Sequence, residues 1–373
     1  MTEQIVTGQT VTGQIVFGQT KAGVVVIGRN EGERLKRCLA SVLAQHAGPV
    51  VYVDSGSSDG SVEHAKSVGV EVVDLDMTRP FTMARGRNAG LDYLLEHYPG
   101  CEFVQFVDGD CEMAAGWIER GLQFLKQHPE FAGVCGNRSE RYPDATIYNQ
   151  LIAMEWQGSE GEVDACGGDA IYRVSSFSQA DQKSSASRQP FNESMIAGEE
   201  ADLCLRLRHQ GWHLMRLDAP MTVHDANIQR FVQWWCRSVR CGHAYAQGYH
   251  LHRRDTGHSA DHYKRKALLS SLFYGIALPA LWVLLLVMQM MLSFSAVGQL
   301  FLLMAELLVI SFYLRIAQRA MCAKSDARYS ARQRALYALF IVLGKLPEAQ
   351  GVLRYWLNCL RGKTSNIIEY RQA

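Results

Sequence analysis

The sequence predicts an α/β domain built on a largely parallel sheet, followed by a transmembrane helical hairpin. Between residues 23 and 224, short β-branched runs alternate with amphipathic helical stretches, a pattern typical of strands connected by helices. Residues 267–292 contain no charged side chain and are long enough to cross a bilayer. Hydrophobic residues make up 48% of the chain, so a sizeable core can form.

The predicted sheet begins with four strands, each of which ends at a polar or glycine-rich turn. They cover residues 24–27, 50–53, 70–73 and 103–107. A helix with Leu35, Leu39 and Val42 on one face follows the first strand. Another short strand is expected at residues 215–217, before a turn at Pro220. Open α/β sheets bind ligands beyond the carboxyl ends of their strands, so we expect the functional residues in these turns.

The chain divides into four predicted segments. They are an N-terminal extension (residues 1–22), the α/β domain (23–250), the hairpin (264–320) and an interfacial or cytosolic C-terminal segment (321–373). Within the extension, QIVTGQT at residues 4–10 returns as QIVFGQT at residues 14–20. Two copies are too few for a solenoid, so we interpret the repeat as a flexible or strand-like extension.

Charge and cysteine content exclude several classes of function. The chain has 38 basic and 37 acidic residues, so no excess of positive charge indicates a nucleic-acid partner. The ten cysteines include no CxxC pair, which argues against a zinc site and favours buried, reduced thiols. A small or neutral ligand is the better expectation.

The hairpin consists of residues 267–292 and a second apolar stretch, residues 296–310, in which Glu306 is the charged exception. Basic residues flank both outer ends, namely Lys264, Arg265 and Lys266 before the first span and Arg315, Arg319 and Lys324 after the second. The positive-inside rule therefore places the α/β domain on the cytoplasmic side of the membrane. A buried hairpin in a soluble protein is the alternative. Residues 335–344 are too short to span and are interpreted as an interfacial helix.

An Asp-Gly-Asp sequence directly follows the fourth strand. Asp108 and Asp110 therefore lie at a strand's carboxyl end, where their carboxylates can reach into a cleft. Hard divalent cations prefer such oxygen ligands and keep other coordination positions for phosphates. Turn aspartates separated by glycine are also common without a metal.

Polar residues follow the second strand and begin a later helix. Asp54 closes the strand, where it could accept hydrogen bonds from a nucleoside or cap the turn at residues 55–59. Arg85, Arg87 and Asn88 begin the helix, and basic groups there suit a diphosphate, although a solvated first turn is the ordinary alternative.

Two acidic residues begin another helix. Glu199 and Glu200 either complement the helix dipole or include a general base that takes a proton from a hydroxyl group. His224, further along the chain, is either a structural histidine or a third metal ligand.

An aromatic and cationic cluster follows His224. Its members are Trp234, Trp235, Arg237 and Arg240. We interpret it as part of an amphipathic helix at the lipid headgroups, and a role in gating the donor site is the alternative.

Taken in order, six pieces of the chain resemble the family 2 glycosyltransferases with a GT-A fold. They are VVVIGRNE (residues 24–31), VDSGSSDG (53–60), ARGRNAG (84–90), FVDGD (106–110), GEEADLCLRLRHQG (198–211) and His224. The resemblance covers residues 23–225 and implies a GT-A, Rossmann-like mixed sheet. Six pieces in the family's order are far more specific than any one of them.

The resemblance also implies roles for individual residues. Nucleotide-sugar contacts are expected from Asn30, Glu31, Asp54, Arg85, Arg87, Asn88 and Asp108. A divalent metal, Mn²⁺ or Mg²⁺, is expected at Asp108, Asp110 and His224. Glu200 takes the position of the catalytic base, with Glu199 as the alternative because the family usually has Glu-Asp here. A Ser/Gln-rich stretch at residues 175–189 replaces a shorter glycine-bearing loop and is expected to be specific to the acceptor.

The resemblance implies inverting transfer of a sugar from a nucleotide-diphosphate sugar. The predicted hairpin adds a lipid-linked or membrane-proximal acceptor, in envelope polysaccharide or glycolipid synthesis at the bacterial inner membrane. The alternatives are a polyprenyl-phosphate sugar synthase and a catalytically silent membrane scaffold. The donor sugar, the nucleotide base, the acceptor and the oligomeric state do not follow from the sequence.

Overall fold

The computed structural model describes residues 21–46, 48–177, 189–253, 263–291, 295–325 and 328–369. The N-terminal repeat and most of the Ser/Gln-rich stretch lie outside the described residues.

Nine strands form one sheet among the described residues. They are β1 (Ala22–Gly28), β2 (Val50–Asp54), β3 (Glu71–Asp74), β4 (Phe103–Asp108), β5 (Cys111–Met113), β6 (Phe131–Glu140), β7 (Gly161–Glu162), β8 (Ile171–Arg173) and β9 (His213–His224). The strand order is β3-β2-β1-β4-β8-β6-β9-β5, and β7 pairs with β9. Strands β1 to β4 are parallel, whereas β8 is antiparallel to both of its neighbours. The sheet is therefore mixed, as the resemblance implies.

Helices cover the sheet and continue beyond it. They are α1 (Glu33–Leu43), α2 (Ser61–Ser67), α3 (Met83–His97), α4 (Trp117–Gln127), α5 (Ile147–Glu155), α6 (Val174–Phe177), α7 (Glu199–His209), α8 (Phe231–His252), α9 (Arg265–Leu272), α10 (Leu278–Met291), α11 (Ala296–Ala323), α12 (Ala331–Leu343) and α13 (Lys345–Leu360). A π-helical segment, Phe273–Ala277, joins α9 to α10.

The core confirms the predicted strands and the predicted face of α1. Val24, Val25 and Val26 are fully buried because β1 lies in the middle of the sheet with neighbours on both edges. The buried positions of α1 include Leu35 and Leu39, at the helical spacing that the sequence shows. Burial of each such side chain contributes about 1.5–3 kcal/mol to folding.

Strand pairing brings distant polar residues to one edge of the sheet. In the parallel register, Gly28 lies beside Asp54, and Ile27 lies beside Asp108. On the far side, β5 pairs antiparallel with β9 and places His224 opposite Cys111. The carboxyl ends of β1, β2, β4 and β9 therefore meet around one cleft.

The prediction of a turn at Pro220 is wrong. Strand β9 runs without interruption from His213 to His224 and passes through Pro220. Pro220 is tolerated because it pairs with Asn137 at a register shift, where the regular ladder is already broken and a missing N–H costs little.

Three helical stretches are long and apolar enough to cross a membrane among the described residues. They are Arg265–Met291, Ala296–Ala323 and Ala331–Leu360. The first two correspond to the predicted hairpin. The third stretch is longer than the predicted apolar run at residues 335–344. Helix α12 is followed at Gly344 by α13, which extends to Leu360.

Helix α13 packs closely on α8. A Cβ added at Gly242 of α8 would lie 1.9 Å from the carbonyl oxygen of Glu348, and one at Gly351 would lie 2.0 Å from that of Val239. The two backbones are therefore in contact through glycine, which attaches the C-terminal helices to the α/β domain.

Candidate active site

A cleft of about 510 Å³ opens at the carboxyl edge of the sheet. The predicted residues that line it are Asn30, Glu31, Asp108, Asp110, Glu200 and His224. These residues come from β1, β4, α7 and β9 and the turns that follow the strands, so the sheet register gathers them into one site.

Asp110 and His224 meet at the floor of the cleft. Asp110 Oδ2 lies 3.1 Å from His224 Nε2, and both residues are buried. A side-chain atom of Cys111 lies within 4.8 Å of these groups, and burial raises the pKa of its thiol. A carboxylate oxygen facing an imidazole nitrogen at this separation fits a divalent cation such as Mn²⁺.

Glu140 holds His224 in this orientation, and sequence reasoning missed it. Its Oε2 lies 3.4 Å from His224 Nδ1 and accepts a hydrogen bond of 3.2 Å from the backbone N–H of Ala226. Trp156 packs edge to face on the imidazole at 4.6 Å. A carboxylate on Nδ1 favours the tautomer that carries its proton on Nδ1 and leaves the Nε2 lone pair available to a cation, as in histidines that bind metals.

Arg87 is the buried centre of the site, with 1% of its side chain exposed. Its guanidinium pairs with Glu199 at 2.6 Å, Asp108 at 2.9 Å and Glu200 at 3.2 Å. Burial alone would lower the pKa of Arg87, but these three carboxylates hold it above its usual range. Arg87 therefore ties the end of β4 to the start of α7 and fixes the position of Glu200.

The structure separates the two glutamates of α7. Glu199 is fully buried behind Arg87, whereas Glu200 lines the cleft with 21% of its side chain exposed. Burial, together with the nearby Glu200 charge, raises the pKa of Glu199 to about 7. Only Glu200 is therefore placed to meet a ligand in the cleft.

Asp54 and Asn30 support the turn after β2. Asp54 Oδ2 accepts hydrogen bonds from the backbone N–H groups of Gly56 and Ser57, at 2.9 and 2.7 Å. Asn30 Oδ1 accepts one from the Ser58 N–H at 2.8 Å. The capping role for Asp54 is thus present in the structure. Asp54 also borders a neighbouring cavity of about 440 Å³, so contact with a nucleoside there remains a prediction.

Arg85 and Asn88 are not brought to the cleft. The Arg85 guanidinium donates to the carbonyl oxygens of Asp76, Arg79 and Pro80 and so holds the loop that precedes α3. The Asn88 side chain donates to the carbonyl oxygen of Phe191 and accepts from its N–H. Arg85 and Asn88 differ from Arg87 because their positions on α3 direct their side chains to other sides of the helix.

Asp169 and Gly168, which sequence reasoning missed, complete the wall behind Asp108. The buried Asp169 accepts a 3.0 Å hydrogen bond from the Asp108 backbone N–H and pairs with Arg138. A Cβ at Gly168 would lie 2.4 Å from the Arg87 side chain. In the sequence, the Gly-Gly pair before Asp169 is the local feature that indicates the close approach of Gly168 to Arg87.

The aromatic and cationic cluster on α8 divides into two faces. Trp234 is buried against Phe340 of α12, with ring centroids 4.9 Å apart. Arg237 and Arg240 line the cleft. The arginines therefore face the candidate site, which favours the alternative of a role at that site over contact with lipid headgroups.

Comparison with known proteins shows what the α/β domain is similar to. Residues 23–183 match the family model described as Glycosyl transferase family 2. The chain is 28% identical over 145 residues to Glycosyltransferase AglE from Haloferax volcanii. The aligned region covers 36% of this chain and 46% of AglE. The chain thus spans about half the length of that relative.

Among solved structures, the chain is similar to the mannosyltransferase PcManGT from Pyrobaculum calidifontis in complex with GDP-Man and Mn²⁺. The two are 15% identical, with a TM-score of 0.56, over 91% of this chain and 87% of that one. At this identity the likeness supports the fold alone, a GT-A-type mixed sheet, and the predicted fold class is confirmed.

Proposed function

Because residues 23–183 match the model of glycosyl transferase family 2, we propose that this chain transfers a sugar from a nucleotide-diphosphate sugar to an acceptor hydroxyl group. The observation that carries the proposal is the meeting of Asp110, His224 and Glu200 in one cleft. Such a transfer requires a site that binds a cation and a separate carboxylate that can take a proton.

Glu200 acts as the general base in this proposal. The acceptor oxygen attacks the anomeric carbon as the nucleoside diphosphate leaves from the opposite face, so the configuration inverts, and Glu200 takes the hydroxyl proton. Arg87 keeps the Glu200 carboxylate in place through their 3.2 Å contact. Arg87 also offsets the negative charge of Asp108 and Glu199 behind it.

Asp110 and His224 would hold a divalent cation, Mn²⁺ or Mg²⁺. A bound cation supplies charge neutralisation for the departing diphosphate. The donor set supports this assignment, because an aspartate oxygen and an imidazole nitrogen face each other at 3.1 Å. The Mn²⁺ and GDP-Man bound by PcManGT favour the same chemistry here. Asp108 would contact the ribose or the cation, and Asn30, Glu31 and Asp54 the nucleoside.

The acceptor in this proposal is lipid-linked or membrane-proximal, as in envelope polysaccharide or glycolipid synthesis. The stretches Arg265–Met291 and Ala296–Ala323, which are long and apolar enough to span a membrane, follow the catalytic domain, and α8, which packs on α13, contributes Arg237 and Arg240 to the cleft. The basic flanks of the hairpin favour a cytoplasmic catalytic domain at the inner membrane. An acceptor held in the membrane would meet the cleft from the α8 side.

Donor turnover by the detergent-solubilised full chain tests the proposal. UDP-, GDP- and dTDP-sugars are offered with Mn²⁺ or Mg²⁺, and the released nucleoside diphosphate is measured. We expect metal-dependent release that Asp110→Ala abolishes. Asp164→Ala is the matched control, because the Asp164 side chain is 93% exposed and lies outside the cleft. Release that survives Asp110→Ala would contradict the proposed cation site.

The choice of acceptor separates the alternatives. Polyprenyl phosphate supplied as the sole acceptor would be glycosylated by a polyprenyl-phosphate sugar synthase. A folded protein that releases no nucleoside diphosphate from any donor, with a membrane extract present as acceptor, would favour the silent scaffold.

A further inference from the structure

The residues that follow α13 return to the catalytic cleft. Residues 363–369, named here the C-terminal strap, begin after Gly362, whose φ of +62° favours glycine at the bend. Ile367 and Glu369 of the strap line the same cleft as Asp110 and Glu200. One wall of the cleft is therefore supplied by the last described residues of the chain, far in sequence from the sheet.

Polar and apolar contacts fix the strap in place. Ser365 Oγ lies 2.8 Å from His243 Nε2 and accepts a hydrogen bond of 3.1 Å from Asn358 Nδ2. Ile368 is 6% exposed and packs with Ile196 and Val239. The strap is thus anchored on α8 and on the segment that leads into α7.

At its end, the strap forms an ion pair inside the cleft. Arg29 Nη1 lies 2.9 Å from Glu369 Oε1, and each side chain is 34% exposed. The Arg29 guanidinium also lies over the ring of Phe81, 4.8 Å from its centroid. Arg29 and Phe81 both line the cleft. A guanidinium beside an aromatic face suits a nucleoside diphosphate, because the two groups can hold phosphate and base together.

The partners of two other cleft arginines differ from Glu369. Arg34 pairs with Glu31 three residues before it, and Arg138 pairs with the buried Asp169. These carboxylates belong to the α/β domain and cannot leave without disturbing it. Glu369 belongs to the strap, and its partly exposed ion pair contributes little to stability, so a ligand with more negative charge can displace it.

We propose that Arg29 binds the donor's diphosphate and that Glu369 occupies Arg29 in the donor-free protein. The strap then competes with the donor, and donor binding moves it off Arg29. This inference rests on the proposed function, because it names a further residue of the donor site and the group that competes for it.

Nucleotide affinity measured on the full chain tests the competition. UDP and GDP are titrated into the detergent-solubilised wild type, Glu369→Gln, Arg29→Gln and the double variant by calorimetry. We expect Glu369→Gln to lower Kd about two- to fivefold, the range of an exposed ion pair. Arg29→Gln raises Kd about tenfold or more, as expected for a lost hydrogen bond to a charged group. In the double variant, the gain from Glu369→Gln disappears.

A matched charge control excludes a general field effect. Glu102→Gln also removes one carboxylate, from an exposed pair with Lys21 at the opposite end of the sheet, and should leave Kd unchanged. An equal gain in Glu102→Gln, or a Glu369→Gln gain that persists without Arg29, would overturn the proposal.

Hydrogen exchange of the strap gives an independent result. Saturating nucleotide should speed exchange of the amides of residues 363–369, and slower exchange would mean that the strap closes over the nucleotide instead. If wild type binds UDP or GDP and the variants match it, only the strap inference fails. If no variant and no wild-type protein binds either nucleotide, the proposed function fails as well.

Discussion

Removing the buried guanidinium of Arg87 should destabilise the protein more than any surface change. Arg87→Met leaves Glu199 fully buried and without the partner that lies 2.6 Å from it. Breaking a buried ion pair on one side costs about 3–5 kcal/mol. For a domain of this size, each kcal/mol lowers Tm by about 2–4 °C, so we expect a fall of roughly 10 °C.

The destabilisation should also depend on pH. Burial raises the pKa of Glu199 to about 7 in the folded protein, above its unfolded value, so the folded state binds more protons between these two values. The contribution of Glu199 to stability therefore falls as pH rises through this window. Without Arg87, Glu199 can protonate at pH 6 but ionises at a larger cost at pH 8.5. Arg87→Met should be more damaging at the higher pH.

Thermal unfolding of the detergent-solubilised chain, followed by tryptophan fluorescence, measures both effects. Glu199→Gln in the Arg87→Met background should recover at least half of the lost Tm, because no buried charge then remains. Arg208→Met is the control, since Arg208 pairs with the exposed Asp164. A Tm within about 2 °C of wild type, or a loss that is independent of pH, would refute this account of the site.

Three further outcomes follow from the same contacts. Glu200→Gln should lower kcat by about 10²–10⁴-fold and leave the Kd of the donor nucleotide nearly unchanged; equal losses in both would contradict its role as base. Glu140→Gln should weaken Mn²⁺ binding, measured by electron paramagnetic resonance, by about tenfold through His224, and unchanged binding would exclude that role. Burial lowers the pKa of His243 to about 4, so the contribution of His243 to stability falls as pH falls from 6.5 to 4, and His243→Gln should lose less stability than wild type over this range. A variant with the same acid profile would count against it.

Local patterns were sufficient to predict the sheet domain and its first strands. A strand buried on both faces needs a continuous run of β-branched residues, and residues 24–27 and 50–53 are such runs. The positions of Asp108 and Asp110 followed from the same reasoning, because a polar pair directly after a buried strand must lie at the ligand-binding edge.

Neighbouring positions could not be separated in this way. Glu199 and Glu200 are adjacent in sequence, yet one is buried under Arg87 and the other faces the cleft. Arg85 and Asn88 likewise lie close to Arg87 in the sequence, but their side chains leave α3 away from the cleft. Successive residues of a helix diverge by about 100°, and only the packing of α3 and α7 decides which direction is the cleft.

The sequence by itself determined the order of the elements, the residue types at the strand ends and the apolar helices. Only the tertiary structure decided the partners: Glu140 behind His224, Asp169 behind Asp108, and Glu369 on Arg29. The residues of the last pair lie 340 positions apart. Periodicity reports which face of an element is buried, whereas a contact between distant segments depends on strand register and helix packing, which no local pattern encodes.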